Sequence, residues 1–208
     1  MLKALVVDDH PFIRASVKMV LASAGLEVVA EAGNGVEALH LARTHEPQLI
    51  LLDISMPLLD GLGVIDRVTK LELNSKILVL TSLEPAFYAQ RCMSAGAHGY
   101  VSKSDDLKEL SRAIKALMSG YTHFPILSSS SVRQIDATSS EQELVQKLSN
   151  RELAVLQQLA RGFSNKEIGN AMLLSNKTVS NYKNRLIEKL NVKSLIYLAE
   201  FAKRNKLI

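Results

Sequence analysis

One cysteine, Cys92, stands among 208 residues, which rules out an internal disulfide. Its place beside Met93 on a predicted helix reads as a packed thiol rather than a reactive one. No apolar run approaches the roughly 20 residues that a membrane-crossing helix needs. Met1-Leu2-Lys3 leads directly into a predicted strand, so the chain is expected to be cytoplasmic, with no membrane partner. The five histidines, at 10, 40, 45, 98 and 123, show no metal-ligand spacing, and His10 reads as a neighbour of the acidic residues beside it rather than a participant. No internal repeat is present. Excess positive charge is missing from the first two thirds: residues 1–120 hold 12 Lys and Arg against 14 Asp and Glu, and residues 121–145 hold 1 against 3. Residues 146–208 hold 12 against 4, so the basic balance belongs to the C-terminal third, where it would attract phosphate backbones.

What is present is organised around strand ends. Composition is ordinarily globular, 47% hydrophobic and 22% charged, and the length exceeds one typical domain. Leu49 to Leu52 closes on Asp53, Leu5 to Val7 on Asp8 and Asp9, Lys76 to Leu80 on Thr81, and Tyr100 to Ser102 on Lys103. Open α/β sheets place their chemistry at the carboxyl ends of strands, so three carboxylates, a hydroxyl and an ammonium are expected at one rim. Carboxylates held together repel and raise one another's pKa, which a divalent cation among them offsets. Mg²⁺ suits such a set, being a hard ion that takes carboxylate, carbonyl and water oxygens. With the charge screened, one carboxylate can attack a phosphoryl group and become an acyl phosphate, whose oxygens Lys103 and Thr81 would bind.

Five strands alternating with five helices predict a parallel sheet with right-handed crossovers. Pro11 suits a first helical turn, followed by Ile13, Val17, Val20, Leu21 and Ala24 at helical spacing, with Gly25 at the end. Further elements are a strand over 26–30 and helices over 34–45, 61–71 and 84–95. A fifth helix is expected to be capped by Ser104, with Asp105 and Asp106 in its first turn. A flexible tether is expected over 123–145, containing Ser128 to Ser131, although Tyr121 to Pro125 is apolar enough to pack on the first domain.

The C-terminal segment divides into four helical patterns. Ser149-x-x-Glu152 and Ser164-x-x-Glu167 are capping boxes, and further starts lie near Ser175 and Ser194. The second and third patterns are separated only by Leu173 to Ser175, the spacing of a helix-turn-helix whose second helix enters the major groove. On that helix Val179, Leu186 and Leu190 form one stripe, flanked by Lys183 and Ile187. The opposite face carries Lys177, Asn181, Asn184, Arg185 and Glu188. Asn pairs bidentately with adenine and Arg prefers guanine, so this face can read bases as well as hold phosphates.

Asp8-Asp9, the run Asp53-Ile-Ser-Met-Pro57-Leu-Leu-Asp60-Gly61, Thr81-Ser82 and Gly99-Tyr100-Val101-Ser102-Lys103 resemble, in order and spacing, the receiver domain of two-component response regulators. Leu148-Ser-Asn-Arg-Glu152, Gly162-Phe-Ser-Asn-Lys-Glu167-Ile168 and Ser175-Asn-Lys-Thr178-Val179 through Arg185 to Leu190 resemble the LuxR-type DNA-binding domain. Together they resemble a NarL/FixJ-type response regulator, and the Ser-Asn-Lys-Thr-Val-Ser core and Ala202 to Asn205 look like its BvgA/EvgA branch. The resemblance implies a flavodoxin-like (βα)5 receiver over 1–122, the linker over 123–145, and an all-α four-helix helix-turn-helix domain over 146–208.

It also implies roles. Asp53 would be the phosphoacceptor, and Asp8, Asp9, Asp53 and the Ser55 backbone carbonyl would hold Mg²⁺. Thr81, Ser82 and Lys103 would contact the phosphoryl group, while Tyr100 would turn inward on activation and reshape the surface around the fourth and fifth helices. Ser180, Asn181 and Asn184 would face bases; Lys177, Thr178, Tyr182 and Lys183 would contact the backbone, with Arg185 on the same face. Leu195, Leu198 and Ala199 would pair two DNA-binding domains. The implied partners are a sensor histidine kinase, duplex DNA, a second copy of the chain once phosphorylated, and RNA polymerase. A haloacid-dehalogenase-type enzyme needs a second Asp two positions after the first, where this chain has Ser55. A single-stranded RNA binder needs stacking platforms, and the basic segment offers only Phe163, Tyr182, Tyr197 and Phe201. A receiver acting purely through protein contacts is disfavoured by the C-terminal third alone.

Overall fold

The computed structural model describes residues 2–56, 61–125, 137–205 and 207–208, and divides the chain into two units, 1–127 and 128–208. Pro57 and Asp60 of the motif after Asp53, and the serine run of the tether, lie outside the described residues.

The first unit alternates strands and helices: β1 (Leu2–Val7), α1 (Pro11–Ser23), β2 (Leu26–Ala32), α2 (Gly35–His45), β3 (Leu49–Leu52), α3 (Gly61–Lys70), β4 (Lys76–Thr81), α4 (Pro85–Ala95), β5 (Gly99–Ser102) and α5 (Leu107–Met118). All strands are parallel, in the order β2-β1-β3-β4-β5. The order reverses between β1 and β3, the point at which such sheets bind ligands. Every residue of β3 is buried, as expected of a strand with helices over both faces. On one face Val6, Leu51, Leu78 and Leu80 meet Leu21 of α1 and Ile114 of α5.

Two local expectations are corrected. β2 runs to Ala32 because Glu31 and Ala32 still pair with Val6 and Val7. α5 starts at Leu107, not at Ser104: the Asp106 carboxylate is the cap, accepting the Glu109 N–H at 2.7 Å. Ser104 and Asp105 belong to the preceding turn, where the Asp105 carboxylate accepts the Ser102 N–H and the Ser104 and Ser102 hydroxyls meet at 2.7 Å.

Described residues at the two ends of the expected tether over 123–145 carry regular structure. His123 is bridged to Gly99 on β5, and 137–146 form a helix, α6 (Ala137–Gln146). Arg204 donates to both Glu141 carboxylate oxygens, and Asn205 donates to one of them, tying α6 to the C-terminal end of the second unit. That unit continues with α7 (Asn150–Ala160), α8 (Asn165–Met172), α9 (Asn176–Lys189) and α10 (Leu195–Arg204). Both capping boxes form as the sequence predicts. Its core gathers Val155, Leu156, Val179, Leu186, Leu198 and Phe201. Among the described residues, no helix is long and apolar enough to cross a membrane.

Candidate functional site

Asp8 and Asp53 follow directly on β1 and β3, whose last residues, Val7 and Leu52, are register partners. The two carboxylates are therefore neighbours, and they are only 1% and 3% exposed. Buried carboxylates need a countercharge. Lys103 supplies it, its Nζ lying 2.7 Å from Asp8 Oδ2 and 2.7 Å from Asp53 Oδ2. Burial alone would lower the lysine pKa, but Asp53 and Asp8 outweigh it and hold the ammonium above the usual lysine range. The Lys103 backbone N–H donates to the Thr81 carbonyl at 2.8 Å, which ties the ends of β4 and β5 together. The second oxygen of Asp53 accepts the Ser55 N–H at 3.1 Å.

Asp9 is exposed at the rim, and His10 joins it. The imidazole Nδ1 lies 2.7 Å from Asp9 Oδ1, and the His10 N–H donates to Asp8 Oδ1 at 2.8 Å. Asp8, Asp9, His10 and Asp53 each offer a ligand atom within 4.8 Å of the others. This oxygen-rich donor set fits a hard divalent cation. His10 thus stands where its place in the sequence puts it, beside the acidic pair.

Gly61 opens α3 against this site. A Cβ on it would run into the Asp53 carbonyl and lie 2.7 Å from Ile54 Cα, contacts with backbone that no rotamer change relieves. Gly61→Ala is therefore expected to destabilise the first unit by about 1–3 kcal/mol, as overpacking does. Chemical denaturation checks this, and an unchanged midpoint would contradict the close approach.

Thr81 is fully buried, with its hydroxyl accepting the Leu83 N–H at 3.5 Å. Tyr100 points inward, its hydroxyl donating to the Leu83 carbonyl at 2.6 Å, and burial pushes the phenol pKa far up. Ser82 is exposed and lines a cavity of about 330 Å³ with Tyr100, Leu83, Glu84 and Pro125. Cys92 is fully buried, and burial pushes its thiol pKa up to about 12, as befits a packed residue.

In the second unit the Ser175 hydroxyl accepts the Thr178 N–H and so starts α9. Val179, Leu186 and Leu190 are buried; Lys177, Asn181, Asn184, Arg185 and Glu188 are exposed. Thr178, Ser180, Tyr182 and Lys183 are half-buried between these faces. The turn before α9 is tight: Leu174 N–H donates to the Gly169 carbonyl at 2.8 Å, and a Cβ on Gly169 would lie 2.7 Å from the Leu174 carbonyl. Arg151 donates to the Met172 carbonyl at the end of α8. Lys189 pairs at 2.7 Å with the buried Glu152, joining α9 to α7. Burial alone would raise the Glu152 pKa, but Lys189 and Ser149 hold the carboxyl below its ordinary value. Its contribution is full above the ordinary carboxylate range and is lost as pH falls through the lowered value.

The expected pairing face needs correction. Leu198 is fully buried in its own unit, because α10 turns Leu198, Phe201 and Ala202 into the core. Exposure falls instead on Leu195 at 42%, Ile196 at 72% and Tyr197 at 53%, with Ala199 half-buried.

Comparison with known proteins agrees with both units. Residues 4–115 match the response regulator receiver domain, and residues 146–202 match the bacterial regulatory proteins of the luxR family. The chain is 49% identical over 205 residues to the virulence-factor transcription regulator BvgA of Bordetella pertussis, covering 99% of this chain and 98% of that one. It is 34% identical over 206 residues to the DNA-binding transcriptional activator EvgA of Escherichia coli K12, covering 99% and 100%. Among solved structures it is similar to the RcsB response regulator of Salmonella typhimurium, with a TM-score of 0.76 at 25% identity, over 98% of this chain and 97% of that one. With a receiver carrying the buried Asp8–Lys103–Asp53 cluster, a luxR-family helix-turn-helix and these full-length relatives, the chain belongs to the NarL/FixJ-type two-component response regulators.

Proposed function

We propose that Asp53 accepts a phosphoryl group from the phosphohistidine of a sensor kinase, and that the phosphorylated chain binds duplex DNA through α9 to regulate transcription. The observation that carries this reading is the Lys103 ammonium shared at 2.7 Å between two buried carboxylates at the switch point of the sheet. Asp53 would attack phosphorus as the phosphorus–nitrogen bond breaks, leaving the kinase imidazole and an acyl phosphate. Asp8, Asp9, Asp53 and the Ser55 carbonyl would hold Mg²⁺, which when bound supplies positive charge against the crowded carboxylate and phosphoryl oxygens. Lys103 then binds the new anion while keeping its contact with Asp8, and the Thr81 hydroxyl, with Ser82 beside it, turns toward the phosphoryl oxygens. Phosphorylation biases an equilibrium between two conformations of the Thr81–Tyr100 region and favours a homodimer on DNA. Two copies would read half-sites about one helical turn apart. Leu195 and Ala199 remain suited to pairing the DNA-binding units, and Leu198 is not. RNA polymerase is the further partner of a regulator so bound.

On α9, reading and anchoring separate experimentally. Asn181 and Asn184 are exposed, so truncating either leaves the fold intact. Loss of one bidentate base contact removes about 1–3 kcal/mol of discrimination and flattens preference at one position in each half-site. Lys177→Ala is expected to weaken binding to all sequences alike and to lower the salt slope by about one. Selection of bound duplexes from a random pool, repeated across salt, checks both. If Lys177→Ala alters preference while the two asparagine variants do not, α9 lies in the groove in another register.

A further inference from the structure

β5 is the last strand of the sheet, so among the described residues its outer backbone groups have no strand to pair with. His123 occupies part of that edge. Its carbonyl accepts the Tyr100 N–H at 2.8 Å and its N–H donates to the His98 carbonyl at 3.0 Å, a parallel bridge opposite Gly99. Its ring Nε2 lies 2.9 Å from Glu109 Oε1 in the first turn of α5, and the other oxygen of that carboxylate accepts from Arg112. Two residues on, Pro125 lines the cavity it shares with Tyr100, Ser82 and Leu83. The residues that leave the receiver are thus held by backbone and side chain to the elements that carry its switch residues.

Resting on the reading that Asp53 is phosphorylated and α9 binds DNA, we propose that residues 121–125 are a docked strap, held by His123, that carries the state of the phosphoacceptor site to the DNA-binding domain. An unbroken run of contacts supports the assignment. Lys103, paired to Asp53, donates its N–H to the Thr81 carbonyl; the Thr81 hydroxyl accepts the Leu83 N–H; the Leu83 carbonyl accepts the Tyr100 hydroxyl; and the Tyr100 N–H donates to the His123 carbonyl. A phosphoryl group that draws Lys103 and the Thr81 hydroxyl toward itself pulls on the first links and loosens the last. Released, the strap adds five residues, about 17 Å of extended chain, to the connection between the two units.

The test follows amide hydrogen exchange at Tyr100 and His123 in the full chain, with and without beryllofluoride and Mg²⁺. It also compares DNA affinity before and after acetyl phosphate in wild type, His123→Pro, which removes the bridging N–H, and Glu109→Ala, which removes the ring's partner. Both amides are expected to exchange faster in the loaded state. The variants are expected to take up phosphoryl as wild type does, while the gain in DNA affinity on phosphorylation, about 5- to 150-fold for an allosteric coupling of ordinary size, falls to within about twofold of none. Unchanged exchange at both amides, or a wild-type gain in a variant that takes up phosphoryl, overturns the strap. Failure of the underlying reading is seen separately, in wild type itself, as no phosphoryl uptake or no response of DNA affinity.

Discussion

Asp53→Asn is expected to reduce Mg²⁺-dependent phosphoryl uptake to background. The amide is not a nucleophile toward phosphorus and cannot form an acyl phosphate. Volume is conserved, and the amide oxygen can keep one of the two side-chain contacts of Asp53, which fall on different oxygens, Lys103 on Oδ2 and the Ser55 N–H on Oδ1. The variant should therefore fold, and the loss should be chemical. Labelling with acetyl phosphate, followed by separation of phosphorylated from unmodified chain, measures it. Cys92→Ser is the control: its thiol is buried and held protonated, so uptake should match wild type. Equal labelling of Asp53→Asn and wild type would remove Asp53 from the reaction.

Leu186→Ala is expected to abolish DNA binding and leave phosphoryl uptake intact. Leu186 is fully buried beneath the exposed face of α9, and truncating such a side chain removes about 2–5 kcal/mol. A domain as small as the second unit rarely has more than about 3–5 kcal/mol in reserve, so the loss approaches its whole stability. The receiver keeps its own core around the sheet. Thermal unfolding followed by circular dichroism should show the helical unit melting early, while acetyl phosphate still labels Asp53 at temperatures where DNA binding is gone. Loss of labelling together with DNA binding would mean that the two units do not fold as separate cores.

The parts of this molecule written in local sequence were legible, and those decided by tertiary contact were not. An apolar run ending in an acid or a lysine can be read directly, because a fully buried strand has no polar face to confuse the pattern; β3 with Asp53 is the clearest case. Capping boxes at Ser149 and Ser164 are equally local, since both partners lie within four residues. Local sequence does not fix the start of α5, because Ser104, Asp105 and Asp106 are all competent caps, and hydrogen bonds in the turn decide among them. For Leu198, spacing alone gives a stripe without saying what lies against it; the core of the second unit does. The α6 helix leaves no apolar pattern because its sequence is polar, and Glu141 meets Arg204 and Asn205 from more than 60 residues away. The inward Tyr100 depends on a single carbonyl, that of Leu83, which no pattern reports.

The central claim is that a phosphoryl group on Asp53 changes what α9 does. Fluorescence anisotropy of a duplex selected from a random pool, titrated with wild type and with Asp53→Asn in Mg²⁺ with and without acetyl phosphate, tests it most directly. Wild-type affinity is expected to rise about 5- to 150-fold on phosphorylation, and Asp53→Asn is expected not to respond. An equal response in both proteins, or none in a wild type shown to be phosphorylated, would contradict it.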